Sequence, residues 1–258
     1  MAESRAAIGP ANASIAGVFE LYFRSLAQSW LPALLVSLLW IGLLARLVLV
    51  LDPQGDVLRL AEQLQELVFT PSFGYALLVA TAVSVVPYCA MVACVLAAGS
   101  GAKAAGAGLP LALRIFPGAL AAAALFLVLT SIGTMIFLVP GVYLWGMWQL
   151  WIVVIVAERR GPLASLVRSW QLTRGSWWSA VTLVTLITIL SMAPLVLLNF
   201  ALSLILLVLG ITGTHALIAS LVCLGVALIL VVPLVPAALV AVYRFLCSRQ
   251  AAWVGEAR

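Results

Sequence analysis

The chain has 258 residues, 66% hydrophobic and only 8% charged, with a formal net charge of +5 and a mean hydropathy of +1.25. Soluble domains carry roughly 25% charged residues, so this composition excludes a soluble globular fold, and its apolar content excludes disorder. What remains is an integral membrane protein of the all-α class.

A helix needs about 20 apolar residues to cross roughly 30 Å of hydrocarbon, because lipid offers the backbone no partners outside its own helix. In chain order, residues 14–28 come first: Ile15, Val18, Phe19, Tyr22 and Leu26 recur at helical spacing, opposite Glu20, Arg24, Ser25 and Gln28. This pattern predicts an amphipathic helix lying in the membrane plane. The span at 30–51 follows. Its length and the lack of a cleavage site after it mark a retained anchor rather than a leader peptide. Residues 55–69 show a second stripe, of Val57, Leu60, Ala61, Leu64 and Leu67, and span 73–98 comes next. A short amphipathic stretch at 106–116 sets Leu109, Leu113 and Phe116 against Arg114.

The apolar run from 117 to 157 is too long for one crossing. Pro140-Gly141 is a turn signal, so the run is predicted to be a tight hairpin with spans at 117–139 and 141–157. Residues 162–174 read as another in-plane helix. Its apolar stripe is Leu163, Leu166, Val167 and Trp170, opposite Ser165, Arg168 and Ser169, and Gly175 closes it as the residue after the C-cap. Spans at 177–209 and 216–243 complete the chain, both long enough to require tilt or kinks. The prediction is a single domain, 1–258: a polytopic bundle of six transmembrane helices arranged as three hairpins, each preceded by an in-plane helix. Similar Gly-to-Arg spacings at 17–24, 108–114 and 161–168 hint at internal repetition.

Charge sets the orientation. With the N-terminus cytoplasmic, Arg5, Arg24, Lys103, Arg114, Arg159, Arg160, Arg168, Arg174, Arg244, Arg249 and Arg258 all fall inside, eleven of the thirteen basic residues. Arg59 lies outside, and Arg46 snorkels from the outer end of the first span. Asp52, Asp56, Glu62 and Glu66 share the first external loop. Both termini are therefore expected in the cytoplasm, with the cationic in-plane helices on the anionic leaflet. Topology, rather than nucleic-acid binding, accounts for the basic excess.

The chemical inventory is small. Asp52 and Asp56 are the only aspartates, His215 the only histidine and Lys103 the only lysine. No metal-ligand cluster, catalytic dyad, P-loop or nucleotide fingerprint can be assembled from them, so no catalytic residue, metal or cofactor is expected. Cys89, Cys94, Cys223 and Cys247 form no C-x-x-C pair and read as packing residues. Polar residues deep in spans usually face protein, which makes Gln149 and Asn199 candidate cavity-lining residues. Pro87, Pro194, Pro233 and Pro236 are candidate kinks that free backbone carbonyls. Glu158 closes span four among Arg159, Arg160 and Arg168, where an ion-paired clasp is expected. Arg174 complements a helix C-terminus, while Trp177 and Trp178 sit at headgroup level. Together with Trp170 these form the candidate structural and lipid-contact set.

The stretch Pro140-Gly141-Val142-Tyr143, then Val156-Ala157-Glu158-Arg159-Arg160-Gly161-Pro162-Leu163, then Arg168-Ser169-Trp170-Gln171-Leu172-Thr173-Arg174-Gly175-Ser176-Trp177-Trp178 resembles the membrane domain of glycerophosphoryl diester phosphodiesterases. The related YciC-like bacterial inner-membrane proteins share the pattern, and the amphipathic start at 15–30 is also similar. The resemblance implies a six-helix bundle without intrinsic catalysis. In the phosphodiesterase members a separate soluble barrel carries the activity, and its metal-binding acids and histidines have no counterpart in these residues. The expected function is a non-enzymatic accessory or scaffold protein of envelope or lipid homeostasis in the bacterial inner membrane. It would act through contacts with lipids, a partner membrane protein or a second copy. The alternative is a permease for a neutral or amphiphilic small molecule. A third reading is an enzyme using His215.

Overall fold

The computed structural model describes residues 15–50, 70–100, 108–211 and 214–256. The acidic stretch 51–69, with Asp52, Asp56, Arg59 and the predicted stripe from Val57 to Leu67, lies outside them, as does Lys103. Among the described residues every regular element is a helix: α1 (Ile15–Val50), α2 (Pro71–Gly99), α3 (Gly108–Ile136), α4 (Leu138–Trp148), α5 (Trp151–Glu158), α6 (Pro162–Thr173), α7 (Trp177–Val208), α8 (Thr214–Val231) and α9 (Leu234–Glu256). Six segments are long and apolar enough to cross a membrane: Ile15–Ala45, Gly74–Gly99, Gly108–Ile136, Leu138–Glu158, Trp177–Val208 and Ile218–Gln250. The protein is a multi-pass α-helical membrane bundle. Consecutive spans pack as neighbours in the pairs α1 with α2, α3 with α4 and α7 with α8.

Several expectations need correction. In the predicted in-plane segment 14–28, residues 15–28 form no separate helix, because α1 runs unbroken from Ile15 to Val50 with Pro32 inside it. Of the stretch 106–116, residues 108–116 likewise belong to α3, which continues through Pro117. Of the predicted in-plane helices only α6 stands as an element of its own.

The turn of the second hairpin also moves. Pro140-Gly141 does not make the turn; the chain reverses at Phe137, whose backbone is extended (φ −158°, ψ 147°), and Pro140 and Gly141 fall in the first turn of α4. Pro is tolerated there because the first helical N–H groups have no intrahelical acceptor. Gly141 serves a close approach: a Cβ built on it would lie 2.7 Å from Thr134 Cα, so only hydrogen fits between α3 and α4.

Span six is not continuous. It divides at Val232-Pro233 into α8 and α9, since Pro233 supplies no N–H to the ladder. The hydroxyl of Tyr22 donates to the carbonyl of Leu230 at 2.7 Å, satisfying one acceptor at this break. Pro87 and Pro194, by contrast, lie inside the unbroken α2 and α7.

The core lies where α2, α5 and α9 meet. The α5 sequence is apolar all round, and a helix of that kind belongs inside a bundle. Trp151 to Val156 are all buried, packed with Ala237 and Ala238 of α9 and the Cys89–Val95 stretch of α2. The far reach of α7 is the opposite: Val196, Leu197, Phe200, Leu207 and Val208 are all exposed. Gly210 ends α7 with φ +69°, and Ile211 N–H bonds to the carbonyl of Leu206 while Gly210 N–H bonds to that of Leu207. This is the Schellman arrangement that glycine permits.

Candidate functional site

Two structures meet along span four. One is a polar clasp at its C-terminus; the other is a chamber beside its interruption.

The clasp is built on Glu158, the last residue of α5. Its Oε1 accepts a hydrogen bond from Arg168 Nε of α6 at 3.2 Å and another from the Tyr243 hydroxyl of α9 at 3.0 Å. Its Oε2 pairs with Arg160. Arg168 also donates through Nη1 to Gln250 Oε1 at 3.1 Å, so one guanidinium links three helices. Nearby, Arg244 Nη2 donates to the carbonyl of Gly99 at 2.6 Å, and Arg249 Nη1 donates to Ser176 Oγ at 2.9 Å. These contacts gather the ends of α2, α5, α6 and α9 and the start of α7 at one basic end. Arg159 takes no part in the clasp. It occupies the left-handed C-cap of α5 (φ 52°, ψ 36°), a conformation costly for a residue with a side chain.

The buried face of α6 differs from the predicted one. Ser165, Leu166, Ser169, Leu172 and Thr173 are buried, whereas Leu163 and Val167 of the expected stripe are 65% and 55% exposed. Apolar side chains lose nothing by facing lipid, while small hydroxyl residues let backbones approach and must have their polar groups satisfied. Ser169 shows why this face turns inward. Its hydroxyl accepts from Leu150 N–H at 3.2 Å and donates to the carbonyl of Met147 at 2.9 Å. Leu150 lies in the two-residue break between α4 and α5, so Ser169 fills the gap in the hydrogen-bond ladder, a recognised cause of helix kinks. Neither Ser169 nor Tyr243 was singled out from sequence. The spacing Ser165, Ser169, Thr173 is the signal for the first; nothing local marks the second.

Trp170 is half-buried. It packs edge-on to Tyr143, with ring centroids 6.1 Å apart, and against Trp148 at 6.0 Å. Trp177 donates through Nε1 to the carbonyl of Tyr143 at 3.3 Å and stacks edge-to-face with Trp178 at 4.6 Å. Trp178 and Arg174 are exposed. Gly175 follows Arg174 without a left-handed φ, so the expected αL cap is absent, and the end of α6 is closed by Ser176 N–H on the carbonyl of Thr173 at 3.0 Å.

Gln149 stands in the α4–α5 break, 6% exposed, and neither its Oε1 nor its Nε2 has a hydrogen-bond partner within the protein. It lines a chamber of about 500 Å³ whose wall includes Trp40, Tyr88, Phe126, Trp145 and Trp151. The chamber takes residues from α1, α2, α3, α4, α5, α7 and α9. A second cavity of about 770 Å³ lies between α1, α7 and α8 and holds Asn199, Ser37 and Ser203. The two share Val36, Trp40 and Val232, the last of these at the break in span six. Gln149 and Asn199 thus line two adjoining cavities, each bordered by an interrupted span.

His215 is exposed near the start of α8, and among the described residues no three of His, Cys, Asp and Glu converge as metal ligands. Cys94 donates weakly to the carbonyl of Gln28, and no disulfide links the four cysteines. No family model, curated protein or solved structure matches the chain.

Proposed function

We propose that the protein is a non-catalytic lipid-holding accessory protein of the bacterial inner membrane, with both termini cytoplasmic. The observation that carries this reading is the paired cavity. A ligand site is typically a concave, mostly apolar pocket of roughly 300–1,000 Å³ with a few placed polar groups, and both cavities have that character. Among the described residues no Asp, Glu, Lys, Arg or His lines either one, which favours an amphiphile over an ion. The basic end supports the orientation, because Arg160, Arg168, Arg244 and Arg249 gather there, and such an excess belongs on the cytoplasmic side. There the rim can also engage anionic headgroups.

A second reading is a permease for a neutral or amphiphilic molecule. What favours it is the pair of interrupted spans beside one chamber, an arrangement found where transporters bind substrate.

Native mass spectrometry of the purified protein, with lipid extraction of the same sample, tests the proposal. A stoichiometric lipid adduct that survives detergent exchange is the expected result, and its absence overturns the lipid-holding reading. Flux of an uncharged solute into proteoliposomes would move the assignment to the permease. A single cysteine at position 168 should label only from the cytoplasmic side; labelling from outside would reverse the orientation.

A further inference from the structure

We infer that the chamber selects an uncharged lipid whose headgroup carries a free hydroxyl beside an ester carbonyl, and that Gln149 is the residue that recognises it. The inference rests on the reading that the bundle holds a lipid. A buried amide without partners is costly, and such groups in a native protein call for a physical explanation. Gln149 offers two N–H donors and one acceptor oxygen at a helix break on the chamber wall.

Besides that of Tyr88, the hydroxyls on the wall around it are already committed in part. Thr81 donates to the carbonyl of Leu77, Ser84 to that of Thr81 and Thr188 to that of Val184, each at 2.8 Å. All three line the chamber and keep only lone pairs for a ligand. The wall is therefore complementary to a headgroup that brings an acceptor for the Gln149 amide and a proton for the surrounding oxygens. A glycerol hydroxyl adjacent to an ester supplies both. A phosphate or ammonium headgroup would leave water with no counter-ion among the described residues of the wall. The adjoining cavity beyond Val36, Trp40 and Val232 is apolar apart from Ser37, Asn199 and Ser203, and it accommodates acyl chains.

The test uses the full chain in phosphatidylcholine nanodiscs and a dioleoylglycerol probe with a diazirine in one acyl chain. Unlabelled dioleoylglycerol, its 3-O-methyl ether and dioleoylphosphatidylglycerol compete for photolabelling, and the labelled peptides are mapped. Dioleoylglycerol is expected to compete about tenfold better than either of the others, the factor that roughly one lost hydrogen bond produces. Gln149→Leu should weaken dioleoylglycerol and its ether alike, by about tenfold, because both bring the ester carbonyl to which the amide donates. The ether comparison needs no substitution, so it stands even if Gln149→Leu fails to fold. Equal competition by all three lipids, or a Gln149→Leu protein that binds dioleoylglycerol and its ether as well as the parent does, overturns the headgroup assignment alone. Labelling that reaches peptides of neither cavity overturns both the assignment and the reading beneath it.

Discussion

The basic end, where α2, α5 and α9 meet, and the far reach of the α7–α8 hairpin use the same apolar residues and pack in opposite ways. At the first, the β-branched residues of α5 sit against Ala237, Ala238 and Ala90, and the polar ends are tied by Glu158, Arg168 and Arg244. At the second, leucines, valines and a phenylalanine face outward, beside the larger of the two cavities. Hydrophobicity does not separate these regions, because lipid tails are as apolar as leucine. What separates them is the supply of small residues and of polar groups that require partners. The first region is the framework; the second borders an open cavity, which the proposed function fills with lipid.

Substitutions can break this comparison, and the largest effect is expected at Ser169. Ser169→Ala leaves the Leu150 N–H and the Met147 carbonyl without their buried partner, at a cost of about 2–4 kcal/mol. Thermal melts in detergent should show the loss clearly. A protein with an unchanged melting temperature would mean that α6 does not secure the break in span four.

Trp170→Ala comes next, at about 2 kcal/mol, from lost aromatic burial against Tyr143 and Trp148. Glu158→Gln should cost less, about 1 kcal/mol, because its ion pairs are partly solvated and the amide can still accept from Tyr243. Chemical denaturation of the two variants side by side checks the order, and a larger loss for Glu158→Gln would make electrostatics the main support of the clasp.

Arg159→Gly is expected to act in the other direction. Relief of the left-handed conformation should stabilise the framework by about 0.5–1 kcal/mol, seen as a raised melting temperature. The smallest effect is expected in the other region. Phe200→Ala, on the exposed face of α7, should change stability by less than about 0.5 kcal/mol. A loss comparable to that of Trp170→Ala would show that the hairpin is packed against something other than lipid.

The number of crossings was legible in the sequence, because length and hydropathy alone constrain what can span a bilayer. Gln149 and Asn199 could be placed near cavities for a similar reason: lipid-facing amides are expensive. Local detail was less legible wherever a rule from water-soluble proteins was applied to a membrane face. The apolar stripe of α6 is Leu163, Leu166, Val167 and Trp170, yet of these only Leu166 is fully buried, and Ser165, Ser169 and Thr173 turn inward beside it. Pro140-Gly141 was read as a turn, yet Gly141 is there for the passage of Thr134. The interruption at Gln149-Leu150 has no proline to announce it. It depends on Ser169, nineteen residues away from Leu150, which periodicity cannot reveal.

The proposed lipid site beside Gln149 is tested most directly by filling the chamber there. Ala123 lines it and is 8% exposed, so Ala123→Phe places a ring in the space beside Phe126 and Gln149. The measurement is lipid occupancy by native mass spectrometry, on samples whose melting temperature matches the parent protein. Loss of the lipid adduct with the fold retained is the predicted result. An adduct that persists at full occupancy would contradict the account, because the lipid would then be held elsewhere.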